Sequence, residues 1–218
     1  LTQVGPGTPC GELLRRYWQP VCYAEELRDR ATLAVTIMHE DLVVYRDGDD
    51  YGVLAEHCAH RGTSLAYGFV EPGCVLRCPY HGWAYDASGS VVDTPFEPNG
   101  SRFKTRITQK AYPAQELGGL IFAYLGPDPA PLLPRWDVLV RTDGERVLSK
   151  SPVLECNWLQ AQENSADTVH TYFLHAHMLK QQGLTHPGLA YYDGPFIAYG
   201  FHAFEWGLLK SFVTEAGG

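Results

Sequence analysis

The chain has 218 residues, 45% of them hydrophobic and 19% charged, enough for one large packed domain or two modest ones. Seventeen Lys and Arg against twenty-five Asp and Glu leave a formal charge of −8, which argues against a nucleic-acid footprint. The longest apolar stretch, residues 117–125, contains two glycines and is too short for a membrane span, and residues 1–7 lack the basic and apolar regions of a secretory signal, so the expected compartment is the cytoplasm.

In chain order, Thr8-Pro9 predicts a helix start, with a capping hydroxyl and proline in the first turn. Residues 12–18 keep Leu13, Leu14, Tyr17 and Trp18 near one face until Pro20 ends the helix. Residues 33–38, 42–46 and 51–56 predict strands, with Asp47-Gly48-Asp49-Asp50 as a hairpin turn. Residues 82–86 and 91–93 flank another turn at Ala87-Ser88-Gly89, and residues 120–125 supply a buried strand. Residues 126–134 hold four prolines in nine positions and read as a stiff connection. Beyond it, residues 146–154 predict a strand, 157–170 a helix without Gly or Pro, and 196–213 strands again.

Two short pairs carry the first chemistry: Cys58-Ala59-His60 and Cys78-Pro79-Tyr80-His81, separated by the seventeen residues 61–77. Each is followed by a glycine, Gly62 and Gly82, which permits a tight loop and close approach of backbone N–H groups to sulfur. A tetrahedral Cys₂His₂ zinc site is the competing structural reading, but zinc fingers usually pair cysteine with cysteine and histidine with histidine. Here each loop contributes one of each, so both cysteines can reach one iron of a [2Fe–2S] cluster and both histidines the other. Cys10, Cys22, Cys74 and Cys156 are scattered and read as small, half-buried thiols of a reducing compartment.

A second constellation follows the prolines, running from Glu163 and Asn164 through Asp167 and His170 to His175. Asp167 and His170, three apart, would share a helical face, with Glu163 and Asn164 one turn earlier. On an unbroken α-helix His175 points about 140° from His170, so one metal shared by both requires the helix to end or bend between them. Two histidines with a carboxylate suit non-haem Fe(II), although His-x₄-His alone is often only a pair of satisfied helical histidines.

The Cys-x-His and Cys-x₂-His loops resemble the Rieske family. Thr63 and Tyr80 stand where respiratory Rieske proteins carry a disulfide, and with Arg61 and Trp83 this is similar to the oxygenase branch. Asn-x₂-Asp-x₂-His-x₄-His resembles the mononuclear-iron motif of Rieske oxygenase α subunits. The opening, from Val4-Gly5-Pro6-Gly7-Thr8-Pro9 to Arg15-Arg16-Tyr17-Trp18, is similar to the phthalate dioxygenase and aromatic O-demethylase side of that family.

That resemblance implies an α+β chain: an all-β Rieske domain with its N-terminal helix over residues 1–126, a connection over 127–136, and the first part of an antiparallel-sheet-plus-helices catalytic domain over 137–218. It implies a [2Fe–2S] cluster on Cys58, His60, Cys78 and His81, and mononuclear Fe(II) on His170 and His175. Asp167 becomes the catalytic bridging carboxylate towards a neighbouring subunit's cluster, and Asn164 lies in the iron's outer surroundings. Electrons would come from NAD(P)H through a reductase, for O₂-dependent hydroxylation or O-demethylation of a small aromatic compound by a ring of α subunits. The family's third iron ligand comes from a later helix. Asp193, Glu205 and Glu215 stand in no matching context, so the chain is expected to be an amino-terminal part. The alternative is a Rieske ferredoxin, an electron carrier that would need nothing after about residue 126; a lesser one is a zinc-stabilised interaction module.

Overall fold

Thr8 caps the first helix, Pro9–Leu14: its Oγ1 accepts from the Gly11 amide at 3.1 Å and Pro9 fills the first turn. The helix stops sooner than the apolar spacing predicts. Leu13 and Tyr17 are exposed, Arg15 is buried, and Trp18 and Pro20 belong to the strand that follows. Arg15 is the reason, because its guanidinium donates to the Glu40 carboxylate and to the carbonyls of Val4 and Met38. The helix therefore turns a cation, not an apolar stripe, towards the body. Glu40 also accepts from Lys110 and Tyr112. Burial pushes its carboxyl up, but the hydrogen bonds from Lys110, Tyr112 and Arg15 outweigh this and hold it below the usual range.

The computed structural model describes residues 1–98, 102–149, 153–184, 194, 196–205 and 207–215. The chain divides into two compact units, essentially residues 3–151 and 152–218. In the first, the strands are β1 (Trp18–Tyr23), β2 (Thr32–Ile37), β3 (Glu40–Asp47), β4 (Asp50–Ala55), β5 (Phe69–Glu71), β6 (Val75–Arg77), β7 (Ala84–Tyr85), β8 (Val91–Asp93), β9 (Ala111–Tyr112), β10 (Ala114–Leu117) and β11 (Leu120–Tyr124). They form three antiparallel sheets, ordered β1-β11-β10, β2-β3-β4-β9 and β5-β6-β7-β8. Pro20 is tolerated because β1 is an edge strand.

The middle sheet is buried on both faces. Alternation along β3 sends Val43 and Tyr45 into one core with Leu54, and Leu42 and Val44 into another with Val53. The first core also contains Leu65, Leu76, Trp83 and Tyr85, and on it sit the two predicted cysteine ligands. Strands β2 to β4, β7, β8 and β11 follow the sequence reading closely, whereas β1, β9 and β10 were not expected; the Asp47–Asp50 hairpin places Gly48 at φ 60°.

Residues 127–136 were expected to separate two domains, whereas the first compact unit runs on to residue 151. Leu133 packs with Trp18, Phe122 and Tyr124, and Trp18 Nε1 donates to the Pro131 carbonyl at 2.9 Å. The strand expected over residues 146–154 is absent among the described residues. Arg146 instead donates to the carbonyls of Val138 and Arg141, and Tyr23 Oη donates to the Ser149 carbonyl, so this segment is held without a strand partner.

In the second unit Asn157 caps a helix over Trp158–Ala166 by accepting from the Leu159 and Gln160 amides. The predicted helix to residue 170 is interrupted at Asp167, which is extended at φ −71°, ψ 129°. A π-helix follows over Thr171–His177 and an α-helical turn over Met178–Gln181. Strands β12 (Phe196–Phe204) and β13 (Gly207–Thr214) form an antiparallel hairpin. Asp193 lies outside the described residues. Among the described residues no helix is long and apolar enough to cross a membrane.

Candidate metal centres

The two Cys–His loops differ in spacing but share one backbone pattern. In the first, the Cys58 carbonyl accepts from the Gly62 amide (2.8 Å) and the Cys58 amide donates to the Thr63 carbonyl (2.9 Å). In the second, the Cys78 carbonyl accepts from the Gly82 amide (3.1 Å) and the Cys78 amide donates to the Trp83 carbonyl (2.8 Å). Both turns close at a glycine four residues after the cysteine, with φ of 71° at Gly62 and 72° at Gly82. Moving the histidine by one position inside a common frame lets two loops of different sequence face one another.

The donors sort by type. Cys58 and Cys78 are each 3% exposed and lie in the core beneath the loops. His60 and His81 lie further out, with ring centroids 4.8 Å apart. Among the described residues no three His, Cys, Asp or Glu side chains converge on a single-ion site. A thiol pair below an imidazole pair is the donor arrangement a two-iron cluster needs, and it does not suit one tetrahedral zinc ion. None of the six cysteines is in a disulfide.

The surroundings act differently on the two donor types: burial holds the Cys78 thiol protonated, whereas the His60 imidazole is kept neutral. Burial pushes the Cys78 thiol up, against the backbone N–H groups of Tyr80 and His81 that point at its sulfur and favour the thiolate. Tyr85 Oη lies 3.0 Å from Cys58 Sγ, and burial, then Cys58 itself, keeps that phenol protonated and able to donate to a thiolate. Burial, His81 and Arg61 hold the His60 imidazole below its ordinary range, in the neutral form that binds metal. Trp83 stacks on His60 with centroids 4.4 Å apart and planes 4° from parallel.

Two side chains outside the ligand motifs pin these loops. Arg77 pairs with Glu71 and Asp93 and donates to the Gly82 carbonyl. Gln109, 3% exposed, reaches the first loop through its carboxamide. Neither was legible as a loop support. Arg77 reads as an ordinary strand cation, and Gln109 lies about fifty residues from the loop it touches.

In the second unit the expectation that Asp167 and His170 share a helical face is corrected: the helix ends between them. Asp167 Oδ1 accepts from the Val169 amide at 2.9 Å, opening the next helix, while Oδ2 lies 3.0 Å from His170 Nδ1. The Val169 N–H, then His170, hold the Asp167 carboxyl below the usual range. Between His170 and His175 the helix neither ends nor bends, as its α-helical period would require, but widens. Hydrogen bonding of the π type stacks residue i+5 near residue i, and the two imidazole centroids stand 5.3 Å apart. With Nδ1 of His170 bonded to Asp167, its Nε2 is the ring nitrogen left for a metal.

Asn164 and Glu163 are exposed on the preceding helix. Lys210 of β13 donates to the Ser165 and Asp167 carbonyls (2.9 and 3.2 Å) and fastens the helix break to the hairpin. An open apolar hollow of about 210 Å³, lined by Val169, Tyr172, Phe173, Phe196 and Tyr199, borders the histidine helix.

A thiol pair and an imidazole pair on two matched loops over a β core define a Rieske-type iron–sulfur domain. Residues 17–113 match the Rieske [2Fe-2S] domain family. The chain is 44% identical over 221 residues to the 5,5'-dehydrodivanillate O-demethylase oxygenase subunit of a Sphingobium species, covering 99% of this chain and 50% of that protein. It is 38% identical to the phthalate 4,5-dioxygenase oxygenase subunit of Pseudomonas putida, over 81% of this chain and 40% of that one. A solved structure of Pseudomonas putida NdmA superposes with a TM-score of 0.69 at 28% identity, covering 93% of this chain and 60% of that one. Over most of its length the chain is similar to oxygenase subunits of the phthalate dioxygenase and O-demethylase kind, with the Rieske domain in its first part. It spans about half the length of the curated relatives it matches.

Proposed function

We propose that this chain serves in the terminal component of a Rieske non-haem iron oxygenase that hydroxylates or O-demethylates a small aromatic compound in the cytoplasm. Cys58 and Cys78 would hold the inner iron of a [2Fe–2S] cluster, and His60 and His81 the outer one. His170 and His175 would hold Fe(II). The cluster supplies one-electron transfer from a reductase that draws on NAD(P)H, and the Fe(II) centre supplies O₂ activation.

The chain's own residues prepare both tasks. The Tyr80, His81 and Tyr85 donors stabilise thiolate charge, and Trp83 fixes the His60 ring. Asp167 orients His170 through Nδ1 and, being part exposed, can reach a cluster histidine of a neighbouring subunit in a ring of α subunits. Asn164 would stand in the iron's outer surroundings.

The single observation that carries this reading is the π-helical turn that brings His170 and His175 together with Asp167 on Nδ1. A ferredoxin-type carrier would leave that arrangement without a task. The test is His170→Ala in the full-length protein. O₂ consumption with reductase and substrate should fall at least a hundredfold while the cluster's electron paramagnetic resonance signal stays unchanged; unchanged O₂ consumption would refute the iron assignment.

A further inference from the structure

Gln109 stands just before β9, beyond the helical turn at Phe103–Arg106, and is one of the few buried polar side chains of the first unit. All its carboxamide bonds go to one place. Its Nε2 donates to the carbonyls of Ala55 (2.7 Å) and His57 (2.9 Å), and its Oε1 accepts from the Ala59 amide (2.7 Å). These three groups bracket Cys58, and Ala59 is the single residue between Cys58 and His60. Both amide donors and the acceptor oxygen are used, so the side chain holds the loop in one register.

The main chain of Gln109 is tied elsewhere. Its amide donates to the Gly89 carbonyl at 2.8 Å, in the β7–β8 turn that follows the second loop. Gly89 has φ 81°, and a Cβ there would lie 1.9 Å from the Gln109 carbonyl oxygen, so only glycine permits the approach. Ser90 and Thr108 form an isolated bridge beside it. One residue thus grips the first loop with its side chain and the hairpin of the second with its backbone.

We propose that Gln109 is a positioning residue for the cluster, setting where Cys58 and His60 stand relative to Cys78 and His81. This rests on the assignment of those four residues as cluster ligands. Cluster geometry and the direction of N–H groups at sulfur set the potential, so a loosened first loop changes the cluster itself as well as the stability of the fold.

The test compares the purified wild-type protein with Gln109→Met, which keeps the side chain's length and removes all three bonds. The readouts are acid-labile sulfide, the g-values of the reduced cluster and its midpoint potential, with circular dichroism as the check on folding. Gln109→Met should retain the fold but shift the g-values and change the equilibrium constant for reduction about threefold, roughly 28 mV at 59 mV per tenfold for one electron. A lower melting temperature with unchanged g-values and potential would mean that Gln109 only stabilises the fold, and would overturn the proposal. Should Gln109→Met fail to fold, amide exchange in the wild type decides. Ala59, although exposed, should exchange far more slowly than Arg61, and equal rates would overturn the proposal. A wild-type protein without acid-labile sulfide would instead defeat the ligand assignment, and this inference with it.

Discussion

The two histidine pairs are positioned by opposite means. In the first unit, loops of unequal spacing are forced into one backbone pattern by glycine turns, buried thiols and side-chain clamps. In the second, both histidines ride on one stretch of helix, and its pitch alone brings them together beside a carboxylate 48% exposed. The first arrangement is fixed by many independent contacts and resists change; the second depends on a single count of residues per turn. Under the proposed function the contrast fits the two tasks: an electron-passing centre gains from rigid ligands, and a centre that admits O₂ and a substrate gains from open positions.

The two histidine pairs part most sharply at the π-helix. One alanine inserted between Tyr172 and Phe173 moves His175 out of step with His170. It should weaken Fe(II) binding about tenfold or more while leaving acid-labile sulfide untouched. Titration of the protein with Fe(II) measures this, and unchanged affinity would show that pitch does not set the pair.

A smaller effect sharpens the claim that the first unit is braced. Glu40→Gln removes the charge on which Arg15, Lys110 and Tyr112 converge and should lower the melting temperature by roughly 5 °C at pH 7. The folded carboxyl lies below its ordinary 4.5, so this contribution is complete above that value and is lost as pH falls through the lower folded value. The gap between wild type and variant should therefore stay constant from about pH 8 to about pH 5 and close as the pH falls well below 4.5. A gap that widened in acid would contradict the network.

The smallest effect concerns one hydrogen bond. Tyr85→Phe removes the donor to Cys58 Sγ, which destabilises the reduced, more negative cluster. At about 1 kcal/mol for the bond, the midpoint potential should drop by roughly 40 mV with no loss of cluster. Protein-film voltammetry reads this directly, and an unshifted potential would mean that the phenol does not donate to the sulfur.

What the sequence made legible follows the same division. Cys58, His60, Cys78 and His81 stood out because few chemistries need that mixture at that spacing, and the loop glycines explained themselves. Strands β2 to β4 were readable from alternation and a glycine-bearing turn. The buried Arg15 was not, since it reverses the usual rule for a helix face and its partner Glu40 lies twenty-five residues on. The pitch change at Thr171–His177 was visible only as a contradiction, two histidines that an α-helix would point apart. Residues 146–149 have composition suited to a strand, yet strands exist only where an edge pairs with them, and no partner is present among the described residues. Gln109 left no signal, because a neutral side chain outside any strand or helix is indistinguishable from surface until its partners are known.

On the proposed function, one chain carries both the electron's entry point and its destination. Iron and acid-labile sulfide, counted per chain in the full-length protein and in His170→Ala/His175→Ala, test it most directly. About three irons and two sulfides are expected in the wild type, falling to about two irons with both sulfides kept in the double variant. Zinc without sulfide, or an iron count that the double variant leaves unchanged, would contradict it.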